Sequence, residues 1–182
     1  IDAMVRRDYT FNGQDSIWYD GELSQVEAIV NAGSANLYGI SAMGILNMGE
    51  HFKLKSNISW ARGEDSDGNA LRHVAPVFGN TSLAFNSGPF IAELYADYNG
   101  AIPFSRLAPS EKDKAYLYAA DSDGNPYSPS WWTLNFKSSV VIIPQISLDI
   151  AIENIFNQRF RPYSSGIVSP GRNFIVAIRA RI

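Results

Sequence analysis

Apolar and polar residues alternate along most of the chain. From Ile146 the even positions read Ile146, Leu148, Ile150 and Ile152, opposed by Ser147, Asp149, Ala151 and Glu153. The C-terminal stretch repeats this, with Phe174, Val176, Ile178, Ala180 and Ile182 on one side and Asn173, Ile175, Ala177, Arg179 and Arg181 on the other. Similar runs start at Phe52, Phe90 and Trp132. A period of two places successive side chains on opposite faces of a strand. Helical periodicity is almost absent. Three further segments read as strands less cleanly: Ile1 to Tyr9, about Leu23 to Met48, and Asn80 to Ser87. Gly33, Gly39 and Gly44 interrupt the second of these, as bends or bulges do. The pattern predicts eight strands in an all-β, antiparallel meander.

The connections alternate in length. Short turns fall at Gly49-Glu50, Ser87-Gly88-Pro89 and Pro144-Gln145, and long loops at roughly 10–22, 64–79, 100–130 and 158–171. In a meander, alternate connections lie at the same end, so one rim carries tight turns and the other large loops. Transmembrane β-barrels have that asymmetry. A strand of about 11 residues, tilted near 40°, rises roughly 28 Å, enough to cross a membrane. Strands of soluble sandwiches are about half as long. Trp60, Tyr98, Trp132 and Phe156 fall near strand ends next to long loops, where aromatic girdles form.

Composition adds exclusions. The 182 residues carry 15 Lys plus Arg against 18 Asp plus Glu, a net charge of −3, which argues against a nucleic-acid surface. Hydrophobic residues make up 46% and charged ones only 18%, lean for a soluble domain. There is no cysteine, which removes thiol catalysis, Cys-ligated metals and disulfides. No apolar run is long enough for a spanning helix, which leaves a barrel open.

No catalytic constellation stands out, and neither a cofactor nor a resident metal is expected: G-x-S-x-G, H-E-x-x-H, P-loop and G-x-G-x-x-G motifs are missing. Asp-Ser-Asp-Gly-Asn occurs twice, at Asp65–Asn69 and Asp121–Asn125. An EF-hand needs a carboxylate at position 12, where Pro76 and Trp132 stand instead, so both copies read as turns. His51 and His73 are the only histidines and read as surface residues. Lys53, Lys55, Glu93, Asp97, Lys137, Asp149, Glu153, Arg179 and Arg181 share the polar face, as a mixed-charge lumen wall would.

The C-terminal part carries a denser pattern. Ile152-Glu153-Asn154-Ile155-Phe156-Asn157 leads into Gln158-Arg159-Phe160-Arg161-Pro162-Tyr163, and Ser169-Pro170-Gly171-Arg172-Asn173-Phe174 opens the last strand. This resembles the end of a TonB-dependent outer-membrane receptor, nearest in flavour to Bacteroidetes-type members. Tyr38-Gly39-Ile40, Val74-Ala75-Pro76 and Trp132-Thr133-Leu134-Asn135 resemble further strand motifs of that family. Ile182 departs from its usual terminal aromatic, and Ile155 from its commoner Leu. The resemblance implies that residues 1–182 form the C-terminal arc of a barrel of about 22 strands. The chain's start, without initiator Met or leader, fits such a piece. The implied partners are outer-membrane lipid, the rest of the barrel with its plug, TonB through an N-terminal region, and a scarce nutrient such as a siderophore, haem or cobalamin. The implied role is energised import without catalysis. Ligand contacts are expected from the long loops, through Arg72, His73, Arg106, Trp131, Arg159, Arg161 and Tyr163. Arginines suit carboxylate-rich chelates, and aromatics suit flat ligands or sugars. A passive porin, or a soluble β-sandwich adhesin or carbohydrate-binding module, are the alternatives.

Overall fold

The computed structural model describes residues 5–31 and 34–181. Its main element is one antiparallel sheet of seven strands: β5 (Ala35–Met48), β6 (Phe52–Asp65), β7 (Phe78–Ser87), β8 (Phe90–Asn99), β11 (Trp131–Ile143), β12 (Ile146–Glu153) and β13 (Asn173–Ala180). Each pairs with its sequence neighbour in this set, so the sheet is a meander. The three tight turns and the three long loops between these strands lie at opposite ends, as the alternating spacing requires.

The expected eighth strand does not join the sheet. Its described part, β1 (Val5–Asp8), pairs instead with β4 (Ala28–Asn31) in a separate ribbon. The expected strand from about Leu23 to Met48 is broken. A second ribbon, β2 (Ser16–Tyr19) with β3 (Glu22–Gln25), occupies what reads as a loop. Val26, which is buried, donates its backbone N–H to the Asp15 carbonyl at 2.9 Å and so turns the chain out of β3. Local alternation is alike in ribbon and sheet; partner choice is a tertiary matter. Ile1 to Met4, Gly33 and Ile182 lie outside the described residues.

Register aligns the alternation of all seven strands. Leu46 faces Leu54, which faces Leu83, then Leu94, Phe136, Ile152 and Phe174. One unbroken apolar row therefore crosses the whole sheet. Phe52, Phe85 and Phe90 cluster below it, with ring centroids 5.0 and 6.2 Å apart. Above it Tyr38 meets Trp60 edge-on at 5.8 Å, and Trp132 meets Phe156 at 5.5 Å. Phe52 to Trp60, and Phe90 to Tyr98, are each eight positions, which is about 26 Å along a strand. At a tilt near 40° that gives about 20 Å of height, comparable to a lipid-facing apolar band.

The opposite face is polar. Lys137 pairs with Glu93 at 2.9 Å and Arg179 with Asp149 at 2.7 Å. Asn80 and Asn135 both donate to the Asp97 carboxylate, at 2.6 and 3.1 Å. Burial is inverted relative to a water-soluble fold. Ser82, Thr133 and Asn135 are buried, while Ile40, Val176 and Ile178 are about 70% exposed. No second sheet packs on the apolar face among the described residues. A soluble sandwich buries such a face against a partner sheet, so that alternative does not describe this architecture. Nor does the sheet close on itself among the described residues, since β5 and β13 each have one neighbour only.

Gly79 is needed where it stands. A β-carbon there would lie 2.3 Å from the Asn57 carbonyl oxygen and 2.7 Å from the Tyr98 ring. Tyr98 lies across this glycine from the facing strand, and its hydroxyl donates to the Asn57 carbonyl at 3.2 Å. Gly79→Val is expected to displace that ring and cost about 1–3 kcal/mol. A lowered denaturant midpoint for loss of the sheet's circular-dichroism signal would show it.

Candidate functional site

The long loops gather above one rim and carry the chain's unusual chemistry. The loop after β8 folds into a 3-10 turn at Phe104–Arg106, a short helix α1 (Pro109–Lys112), a second 3-10 turn at Ala115–Leu117, and a small ribbon of β9 (Ala119–Ala120) with β10 (Pro126–Tyr127). Pro109 starts α1, where its missing N–H costs nothing. Both Asp-Ser-Asp-Gly-Asn copies are turns of one design. The first Asp accepts backbone N–H bonds from positions three and five, at 3.0 and 2.8 Å in one copy and 2.9 and 2.8 Å in the other. Gly68 and Gly124 take φ of 81° and 83°. The backbone bond from Asn125, with others from the same turn, holds the Asp121 carboxyl below its ordinary value. Among the described residues no cluster of His, Asp and Glu could hold a metal.

At the centre of the loops lies Glu111, fully buried. Its carboxylate receives Arg72 Nε from the loop after β6 and the Tyr118 hydroxyl from its own loop. Ser164 Oγ, from the loop after β12, completes the set at 3.2 Å. Burial alone would raise the pKa of this group. The bond from Tyr118, the charge and bond of Arg72 and the bond from Ser164 outweigh it, and the carboxyl lies below its usual range. Burial, reinforced by the Glu111 charge, pushes the Tyr163 phenol up to about 12. Tyr118 is raised too, by burial first and then by its bond to Glu111.

A cleft of about 420 Å³ opens beside this cluster. One wall is Tyr116 to Tyr118; the other is Gln158 to Pro162. At its base Trp131 stacks on Phe160, with centroids 4.0 Å apart and planes 22° from parallel. Arg161 reaches the carbonyls of Tyr116 and Leu117 at 3.4 and 3.3 Å. Arg159 is exposed on the same wall, and no acidic residue lines the cleft. The volume is within the range of small-molecule sites.

The residues expected to touch ligand thus divide. Trp131, Arg159 and Arg161 share the cleft. Arg72 is engaged with Glu111, and Tyr163 lies beside it, its ring 6.4 Å from that of Tyr118. His73 is exposed with φ of 62°. Arg106 lines a separate cleft of about 210 Å³ between the first two long loops. Reading the sequence missed Glu111, Tyr118, Phe160 and Ser164. Glu111 stands in Ser110-Glu111-Lys112-Asp113-Lys114, which looks like a solvated charged turn and gives no sign of burial.

The motif near the C-terminus has a structural purpose. Buried Asn154, at φ 50°, accepts from the Gln158 N–H at 2.8 Å and donates to the Gln158 and Pro170 carbonyls at 2.8 and 3.2 Å. Asn157 accepts the Arg172 N–H at 2.9 Å, and Arg172 Nε donates to the Ile155 carbonyl at 2.9 Å. These bonds close the base of the last long loop, so that β13 returns beside β12.

No family model matches the chain, and no curated protein does. Solved structures do. The ferric enterobactin receptor of Pseudomonas aeruginosa matches with a TM-score of 0.74 at 13% identity, over 98% of this chain and 27% of that one. The ferric yersiniabactin uptake receptor of Yersinia pestis gives 0.62 at 17% identity, over 84% and 24%. The copper transporter OprC gives 0.67 at 13% identity, over 86% and 25%. The chain has the fold of these receptors' C-terminal barrel part. It spans about a quarter of their length.

Two titrations follow. Glu111 is held charged by the folded loops, so its contribution is complete above the ordinary carboxylate value near 4.5 and is lost as pH falls below that range. Amide protection across residues 104–118 is expected to fall in the same acid window, as read by hydrogen exchange. In the alkaline direction, Tyr163→Phe is expected to remove little tyrosinate absorbance at about pH 11, because most of the native phenol still holds its proton.

Proposed function

We propose that residues 1–182 are the C-terminal arc of the barrel of a TonB-dependent receptor in a bacterial outer membrane. The apolar row from Leu46 to Phe174 across all seven strands carries this reading. Such a face is stable against lipid, and its backbone is satisfied within the sheet. The two open edges need further strands, because unpaired backbone groups in hydrocarbon cost several kcal/mol each. In this proposal other segments of the protein supply those strands, the plug and the TonB-binding element. The chain itself performs no chemistry.

The cargo is a scarce nutrient held first by the loops. The cleft at Trp131, Phe160, Arg159 and Arg161 suits an anionic ligand with a flat or apolar part. The stacked rings offer a face, and the guanidinium groups meet negative charge that no neighbouring acid competes for. A carboxylate- or phenolate-bearing metal chelate has this chemistry.

Two measurements on the full-length protein test the proposal. Leu94→Arg, in the middle of the apolar row, is expected to cost about 2–4 kcal/mol in refolding into lipid vesicles. A native protein that stays soluble without detergent would sink the reading. In binding titrations with ferric citrate and ferric catecholate chelates, Arg159→Ala combined with Arg161→Ala is expected to weaken the best ligand at least about tenfold, near 1.4 kcal/mol. Equal affinity of the double variant for every chelate would remove the cleft from the proposal. Ligand entry into vesicles without a plug or TonB would favour a passive porin.

A further inference from the structure

The Glu111 cluster has properties that solvated loops do not share. Its carboxylate is wholly buried, yet each donor comes from a different place: Arg72 from the loop after β6, Tyr118 from the loop after β8, and Ser164 from the loop after β12. Two non-glycine residues with positive φ stand at this point, Ser164 itself at 58° and His73, next to Arg72, at 62°. Backbone of that kind persists only where its surroundings fix it. Tyr118 is at once a donor to Glu111 and part of the cleft wall, and Ser164 follows the opposite wall by two residues. A single carboxylate therefore holds both walls of the cleft and the neighbouring loop.

We infer that Glu111 is a positioning residue that couples the three long loops into one cooperative unit, so that displacing any one of them loosens the other two. The physical reason is the cost of an uncompensated buried charge. If Arg72 leaves, the carboxylate keeps two neutral donors but loses its counter-charge, and burial then favours opening to water. The loop carrying Ser164 is released although Arg72 and Ser164 share no bond of their own. A ligand that pulls one wall would, by the same linkage, move the loop after β6. This use of the cluster rests on the cleft reading above; the coupling itself needs no ligand.

Hydrogen exchange on the full-length protein in detergent, without any chelate, tests it. In Arg72→Met, amides of 104–118 and of 158–169 are expected to exchange at least tenfold faster, while those of the seven-stranded sheet keep their protection. Acceleration confined to 66–77 would overturn the inference. Should Arg72→Met fail to assemble, Ser164→Ala serves in reverse: accelerated exchange at 66–77 supports the coupling, and exchange unchanged there refutes it. Glu111→Gln separates charge from shape. It keeps an oxygen for Tyr118 and Ser164 but not the counter-charge for Arg72, so 66–77 is expected to loosen and 158–169 to loosen with it; loosening confined to 66–77, or none, would refute the assignment. Failure of chelate binding with these couplings intact would remove the cleft reading alone.

Discussion

Backbone pairing in one fixed register governs this structure. Because side chains alternate with a period of two, a slip of one residue on any strand would turn its apolar set onto the polar face. The register that puts Leu54 opposite both Leu46 and Leu83 also puts Lys137 opposite Glu93, and Arg179 two positions from the residue opposite Asp149, on the same face. Apolar row, aromatic borders and charge pairs are thus one consequence of a single set of hydrogen-bonded ladders. Gly79 under Tyr98 and Gly39 against Trp60 mark points where facing backbone leaves no room for a β-carbon.

This inside-out arrangement explains why the loops hold the buried chemistry. The sheet has little interior of its own, since one face is apolar and exposed and the other is a polar wall. Among the described residues the largest fully buried side chains, Leu107 and Glu111, lie where the long loops fold over one another. A charge buried in such a place must be paired and hydrogen-bonded. Arg72, Tyr118 and Ser164 meet that need by joining three segments remote in sequence. Beside them lie the arginine and aromatic side chains of the cleft.

The likeness to receptor barrels at 13 to 17% identity fits this logic. What such a fold requires of a sequence is alternation, aromatic borders, a few glycines and alternating loop lengths. Many sequences satisfy that, so the fold persists when little identity does. The residues that close the base of the last loop, Asn154, Asn157 and Arg172, are more demanding, because each satisfies specific backbone groups. That is why the end of the chain was the most recognisable part.

The sequence by itself determined the strands from Phe52 onward, their faces, the alternation of turns and loops, and the two Asp-Ser-Asp-Gly-Asn turns. All of these are local: a period of two, a glycine with positive φ, an aspartate bonding its own turn. Only the tertiary structure decided that the N-terminal segments form separate ribbons rather than an eighth strand, since alternation names a strand but not its partner. Only it gathered Trp131, Phe160, Arg159 and Arg161 at one cleft. It alone buried Glu111, because burial there depends on three loops whose meeting point is set by the register of strands far from it in sequence.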